Sequence, residues 1–136
     1  MINLFHSNQF NRTVIHDKQK LKQVLLILIG NAIRFTNKGY IHTTISINQS
    51  NIQIEVEDTG IGIKEESKEK IFHLFSQVNQ KIANNQTGIG FRLSLCRDIV
   101  SMLKGSIFAT PKNVGCIFTI ILPIVDENST QDNEVL

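Results

Sequence analysis

The sequence has little cysteine, no long apolar run and little net charge. Its two cysteines, Cys96 and Cys116, lack the spacing of a metal site, so we expect reduced thiols in a cytoplasmic protein. The longest apolar run, Val24 to Ile29, is too short to span a bilayer, and the first residues show no signal-peptide pattern. A net charge of +2 gives no argument for a nucleic acid or an acidic membrane as partner.

The length predicts one domain. A chain of 136 residues with 41% hydrophobic content buries roughly two-thirds of its unfolded surface. We assign residues 11–123 to this domain and residues 1–10 to an N-terminal extension. Residues 124–136 carry Asp126, Glu127, Asp132 and Glu134 with little to bury, so we expect a disordered acidic tail.

Apolar periodicity predicts the secondary structure. A helical repeat after Asp17, a good N-cap, predicts a core-facing helix of about five turns. Further helices are predicted over residues 67–75 and from Phe91 or Leu93 to Leu103. Strands are predicted over residues 11–15, 40–48, 51–57, 106–110 and 116–122. The predicted fold is an α/β (α+β) two-layer sandwich, in which a mixed, mostly antiparallel sheet of about five strands carries three helices on one face.

One predicted strand ends in a motif that suggests a binding site. Ile52, Ile54 and Val56 alternate with polar residues, so Asp58 falls on the same buried face. A buried carboxylate needs a partner, and Gly60 and Gly62 let backbone approach something flat or bulky. This suits recognition of an adenine amino group, although a strand-ending turn with a capped aspartate explains these six residues equally well.

Four sequence boxes resemble the ATP-binding catalytic domain of histidine protein kinases. They begin at Gln23-Val24-Leu25, Asp58-Thr59-Gly60, Ile71-Phe72-His73 and Gly88-Ile89-Gly90, and a closing strand follows at Gly115-Cys116-Ile117. Their order and spacing are more specific than any single box. The sequence Phe-Ser-Gln-Val at residues 75–78 is most similar to that of the hybrid sensor kinases of two-component systems. The resemblance covers about residues 11–123 and implies a Bergerat-type ATP-binding fold.

The resemblance implies ATP and Mg²⁺ as cofactors. Asn31 matches the family's Mg²⁺ ligand, Arg34 a basic residue near the phosphates, and Asp58 the adenine-binding carboxylate. Residues 76–87 match the ATP lid. The remaining positions that the resemblance assigns to the nucleotide site are Gly60, Ile61, Gly62, Ile63, Phe75, Gly88, Gly90, Arg92 and Leu93. The residues alone also allow Asn31 to bond locally, Arg34 to be surface and Ile61 and Ile63 to be core.

Four departures from the family pattern concern the chemistry. When the glycine box is aligned by counting forward from Phe75 and back from Gly105, Ile89 stands in place of a threonine and Arg92 in place of a glycine. The Arg92 side chain either holds phosphate or blocks the close backbone approach that glycine permits. Ile27 stands where the family has asparagine or glutamate. The lid carries amides where the family has Thr, Arg and Gly. Ile117 stands where a family threonine supports the adenine pocket.

The implied function is transfer of the γ-phosphoryl group of Mg-ATP to a histidine on a separate domain or chain. No segment resembles the hairpin that carries the phosphoacceptor, and none of the histidines has its surrounding residues. The expected partners are therefore a histidine-bearing dimerisation domain and a response regulator. The alternative is a degenerate, non-catalytic nucleotide-binding or interaction module, and a stand-alone ATPase or anti-sigma-type serine kinase is a third reading.

Overall fold

Five strands form one mixed sheet in the computed structural model, which describes residues 2–4, 17–73 and 89–124. The strands are β1 (Ile2–Leu4), β2 (Ile41–Ile47), β3 (Asn51–Asp58), β4 (Ser106–Pro111) and β5 (Cys116–Pro123). Their spatial order is β1-β2-β3-β5-β4. β1 runs parallel to β2, and every other neighbouring pair is antiparallel. The predicted class of sheet is confirmed.

Among the residues that the structure describes, two α-helices lie on one face of this sheet. α1 (Lys18–Phe35) begins at Asp17, whose side chain accepts a hydrogen bond from the Lys20 amide at 3.1 Å. α2 (Ile89–Met102) packs against α1, and both helices contact the sheet. Within the described part of the chain, no helix is long and apolar enough to cross a membrane.

The core lies between the helices and the inner face of the sheet. Residues at helical spacing on α1 meet residues at period two on the strands, as the two side-chain repeats require. Its most deeply buried side chains are Val24, Leu28, Ile54, Val56, Ile71, Cys96, Val100, Ile120 and Leu122. The buried face of β3 is the one that ends in Asp58.

Several elements differ from the sequence-based expectation or lie outside the described residues. The sheet edge is formed by Ile2–Leu4, inside the segment assigned to an extension. The second helix is two short 3-10 helices, Glu65–Ser67 and Lys70–Phe72. A segment this short gains little from α-helical propagation, and 3-10 turns are common in connectors. The strand predicted over residues 11–15, the lid and residues 125–136 lie outside the described residues.

The turn after β3 is packed tightly against the end of α1. The Ile61 amide donates to the Phe35 carbonyl oxygen at 3.1 Å. A Cβ placed on Gly60 would lie 2.3 Å from the same oxygen, closer than real side chains come. Glycine is therefore required here by the helix end. Gly30, in the middle of α1, is the opposite case, because a Cβ there would meet no atom within 4 Å.

We predict opposite effects for two glycine-to-alanine substitutions. Gly60→Ala forces the turn away from Phe35 and should lower the free energy of unfolding by about 1–3 kcal/mol. Gly30→Ala should raise it by up to about 1 kcal/mol, because alanine has the higher helix propensity and the space is open. Urea unfolding of both variants measures the difference. Equal effects of the two substitutions would contradict the close approach at Gly60.

Candidate functional site

A cavity of about 50 Å³ lies between α1, α2 and the end of the sheet at Asp58. Its wall is largely apolar, with Asn31 and Asp58 as its polar side chains, and Ile61 at its edge is exposed to solvent. The lining residues are Asn31, Ala32, Phe35, Asp58, Ile61, Gly62, Ile63, Ile71, Leu93, Cys116 and Phe118. A mostly apolar cavity with few polar groups is typical of sites that orient a small molecule.

Asp58 is the last residue of β3 and is only 6% exposed. Its Oδ1 atom accepts a hydrogen bond from the Gly60 amide at 2.9 Å. Desolvation raises the pKa of this carboxyl above its usual value, and hydrogen bonds from the Gly60 and Cys116 amides together with the charge of Lys112 offset part of that rise. Asp58 thus places a hydrogen-bond acceptor at the cavity, and the energetic cost is the lost solvation of its carboxylate.

Asn31 supplies the second polar group of the cavity. The residue is 4% exposed, and its Oδ1 and Nδ2 atoms are buried without a hydrogen-bond partner among the described residues. A buried amide with neither group paired is costly, so the site favours a molecule that satisfies it. Its oxygen is the hard type of ligand that Mg²⁺ prefers.

The polar groups of the cavity suit a metal that is held jointly with a ligand better than a metal that is held by protein groups alone. Among residues 2–4, 17–73 and 89–124, no three His, Cys, Asp or Glu side chains cluster as metal ligands. Mg²⁺ is commonly held by one or two protein groups together with substrate phosphates and water. Asn31 would serve as such a group, and Asp58 would hold the base.

The two glycines of the motif have separate structural reasons. Gly60 lies against the end of α1, as described above. Gly62 has a φ of 71°, lines the cavity and faces Gly115, whose carbonyl oxygen would lie 3.0 Å from a Cβ at Gly62. The floor of the cavity is therefore built from backbone segments in close contact.

The structure brings together half of the residues that the sequence assigns to the site. Asn31, Asp58, Ile61, Gly62, Ile63 and Leu93 line the cavity, and Gly60 holds the adjacent turn. Arg34 and Arg92 are exposed and do not line it. Gly90 lies in the first turn of α2. Phe75 and Gly88 lie outside the described residues.

The position on β5 that faces the site differs from the expectation. Ile117 is not among the lining residues, whereas its neighbours Cys116 and Phe118 are. Strand alternation is the reason, because Cys116 pairs with Asp58 and is buried, while Ile117 points to the other face. Burial raises the pKa of the Cys116 thiol to about 12. This thiol is therefore a neutral wall of the cavity.

Phe118 forms the far wall of the cavity, and Phe72 packs against Phe118. Their rings meet edge to face, with centroids 6.0 Å apart, and the Arg97 guanidinium lies 5.3 Å from the centroid of the Phe72 ring. Four further residues line the cavity without being among the site residues that the sequence predicts: Ala32, Phe35, Ile71 and Phe118. The alternation of β5, counted from Cys116, is the signal that could have found Phe118.

The burial of Asp58 predicts a pH dependence of stability. Its raised pKa means that the folded chain holds the proton to higher pH than the unfolded chain does. The free energy of unfolding should therefore fall, relative to that of Asp58→Asn, as pH rises from the unfolded pKa through the folded one. At pH 7 the variant should be at least as stable as the parent chain.

Urea unfolding of both proteins between about pH 3 and about pH 7 measures this difference. If the parent chain instead gains stability over Asp58→Asn as pH rises, hydrogen bonds to the carboxylate outweigh its desolvation.

Comparison with known proteins identifies the family. The family model described as "Histidine kinase-, DNA gyrase B-, and HSP90-like ATPase" matches residues 16–126. Hybrid signal transduction histidine kinase C of Dictyostelium discoideum is 38% identical over 120 residues, which cover 79% of this chain and 10% of that protein. Sensor protein CiaH of Streptococcus pneumoniae serotype 4 is 38% identical over 119 residues, which cover 86% of this chain and 27% of that protein.

Solved structures give the same assignment. The nucleotide-free catalytic domain of histidine kinase ThkA superposes with a TM-score of 0.71 at 32% identity, over 83% of this chain and 73% of that one. Full-length ShkA in complex with AMPPNP gives a TM-score of 0.71 at 26% identity, over 83% of this chain and 23% of that one. The chain therefore belongs to the histidine kinase-, DNA gyrase B- and HSP90-like ATPase family.

Proposed function

We propose that this chain is the ATP-binding catalytic domain of a hybrid-type sensor histidine kinase. Its reaction would transfer the γ-phosphoryl group of Mg-ATP to a histidine on a separate domain or chain and leave ADP. The observation that carries the proposal is that one cavity is lined by a buried carboxylate, Asp58, and by a buried amide, Asn31, which has no hydrogen-bond partner among the described residues. The chain spans only 10% and 27% of the two relatives named above, so the activity of the whole protein is part of the proposal.

Asp58 would accept a hydrogen bond from the exocyclic amine of adenine. The carboxylate is already oriented by the Gly60 amide, so little side-chain freedom is lost on binding. Ile61, Ile63 and Phe118 offer apolar surface to the faces of a flat ring. A guanine base presents a carbonyl oxygen at the corresponding edge, and two acceptors would then oppose each other.

Asn31 would contact Mg²⁺ through its amide oxygen, and bound Mg²⁺ would neutralise charge on the phosphates. The first turn of α2 would contribute unpaired backbone amides to the same anion. Arg34 and Arg92 are exposed cations near the ends of α1 and α2, and we assign them to the phosphates. The contribution of the chain is then positioning and charge neutralisation.

The expected partners follow from the reaction. The chain contains no segment that resembles a phosphoacceptor hairpin, so a histidine-bearing dimerisation domain must be supplied by another segment or chain. A response regulator would receive the phosphoryl group. We place the domain in the cytoplasm.

A non-catalytic nucleotide-binding module remains the second candidate. Two observations favour it: Arg92 occupies a position where the family register has glycine, and Ile27 is a half-buried apolar residue that can neither coordinate a metal nor form a hydrogen bond with water. Neither substitution touches the base end of the cavity, so nucleotide binding is common to both candidates.

Isothermal titration with ADP and Mg²⁺ tests nucleotide binding. We expect binding by the parent chain and its loss in Asp58→Asn, because the amide opposes the adenine amine with a donor or at best a weaker acceptor. Glu57→Gln is the matched control, since this neighbouring carboxylate points to the other face and pairs with Lys112. The control should bind ADP like the parent. No heat at high micromolar nucleotide would leave only the shared fold.

Phosphotransfer to a separately supplied histidine-hairpin domain separates the two candidates. Radiolabel from γ-labelled ATP should appear on the hairpin only if the domain is catalytic. Arg92→Gly should lower the transfer rate if the arginine holds phosphate and raise it if the arginine obstructs the backbone approach. Binding without transfer, under conditions where a known kinase domain labels the same hairpin, would favour the non-catalytic module.

A further inference from the structure

Three side chains in contact with one another lead from the cavity wall to the surface of the domain. Phe118 lines the cavity, and its ring meets the Phe72 ring edge to face with 6.0 Å between centroids. The Arg97 guanidinium lies over the Phe72 ring, 5.3 Å from its centroid. Both rings are buried, whereas the Arg97 side chain is 39% exposed. Arg97 is therefore the outer end of a row of contacts whose inner end is the cavity.

The backbone that carries Phe72 gives its ring little support. Phe72 ends the short 3-10 helix Lys70–Phe72. Its amide donates to the Glu69 carbonyl oxygen at 3.3 Å, and the His73 amide donates to the Lys70 carbonyl oxygen at 3.1 Å. A single 3-10 turn has poorer hydrogen-bond geometry than an α-helix. The position of the Phe72 ring therefore depends on what its side chain contacts.

Arg97, in contrast, is carried by a well-packed helix. Its neighbour Cys96 in α2 is fully buried, and the Cys96 thiol donates to the Val24 carbonyl oxygen of α1 with 3.8 Å between sulfur and oxygen. Ile99 and Val100, in the next turn of α2, are also buried in the core. Arg97 thus reaches from a fixed helix to a segment that has little helical support of its own.

Arg97 makes two contacts with that segment, and they differ in strength. Its Nη2 atom lies 3.5 Å from Oε2 of Glu69, which is exposed. An exposed ion pair at such a distance contributes little, because water screens it. A cation over an aromatic face is attracted by the quadrupole of the ring, and the attraction grows as water is excluded. The buried Phe72 ring is therefore the more important partner of Arg97.

We propose that Arg97 is a positioning residue for the base: it holds the Phe72 ring against Phe118 and so fixes the apolar wall on which the adenine ring packs. The inference rests on the proposed function for what this wall binds. Arg97 is not among the described residues that line the cavity, so it would act only through Phe72. A wall that is already in place loses less freedom when the ligand binds.

Titration with ADP and Mg²⁺ of the full 136-residue chain measures this role. Arg97→Gln should bind ADP about threefold to tenfold more weakly, since it removes the cation from the ring. Arg97→Lys keeps a cation and should recover most of the affinity. Glu69→Gln is the matched control, because it removes the ion pair and leaves the ring contact; its affinity should stay within about twofold of the parent.

A double-mutant cycle shows whether the effect passes through Phe72. Phe72→Leu keeps an apolar side chain but has no aromatic face for the guanidinium. In this background Arg97→Gln should cause no further loss of ADP affinity, because the two changes remove the same contact. An equal loss in both backgrounds would mean that Arg97 acts through its charge alone, and the proposal would be wrong.

A measurement without nucleotide separates this proposal from the proposed function and also decides it if Phe72→Leu does not fold. In NMR spectra of the free chain, Arg97→Gln should move the ring-proton resonances of Phe118, which lie in the ring current of Phe72, and Glu69→Gln should leave them in place. If the parent chain does not bind ADP, the proposed function fails, and moved Phe118 resonances still support the hold of Arg97 on the wall.

Two results would overturn the role of Arg97. One is unchanged Phe118 resonances in Arg97→Gln. The other is unchanged ADP affinity of Arg97→Gln in a parent chain that does bind ADP. Urea unfolding of Arg97→Gln completes the test, because the replaced side chain is partly exposed and should leave the unfolding midpoint close to that of the parent. A large fall in the midpoint would instead assign Arg97 a merely structural role.

Discussion

The site depends on a carboxylate held where the fold would otherwise place an apolar side chain. Asp58 occupies the fourth inward position of β3, after Ile52, Ile54 and Val56, and like them it is buried. Desolvation disfavours its charge, and the Gly60 and Cys116 amides recover only part of that loss. The surrounding elements must therefore stabilise an arrangement that Asp58 itself opposes, which is common where a side chain is kept for binding.

The elements around Asp58 show how that arrangement is maintained. Thr59 is fixed to Tyr40 through its backbone amide at 3.2 Å, and its Oγ1 accepts from the Tyr40 amide at 2.9 Å. On the outer face, Glu57 pairs with Lys112 of the segment that joins β4 and β5. Glu57 and Thr59, the two neighbours of Asp58 in sequence, thus join the end of its strand to neighbouring parts of the sheet. The side chain of Asp58 itself lines the cavity.

Local periodicity predicted those parts of the site that lie within one element. The alternation of β3 places Asp58 inward, and the helical repeat of α1 gives the buried stripe in which Asn31 lies. What periodicity could not give is the relation between elements. The register of β5 against β3 decides that Cys116 and not Ile117 faces the cavity, and the approach of α1 decides why Gly60 is a glycine.

The hydrogen bond between the Ile61 amide and the Phe35 carbonyl has a consequence for how the domain can deform. It joins the last turn of α1 to the glycine turn, and Asn31, Ala32 and Phe35 of that helix form one side of the cavity. Because this hydrogen bond joins the end of the helix to the loop, a rotation of α1 about its long axis would also displace the loop. A displacement of α1 would therefore also change the width of the cavity, because this helix forms one of its sides.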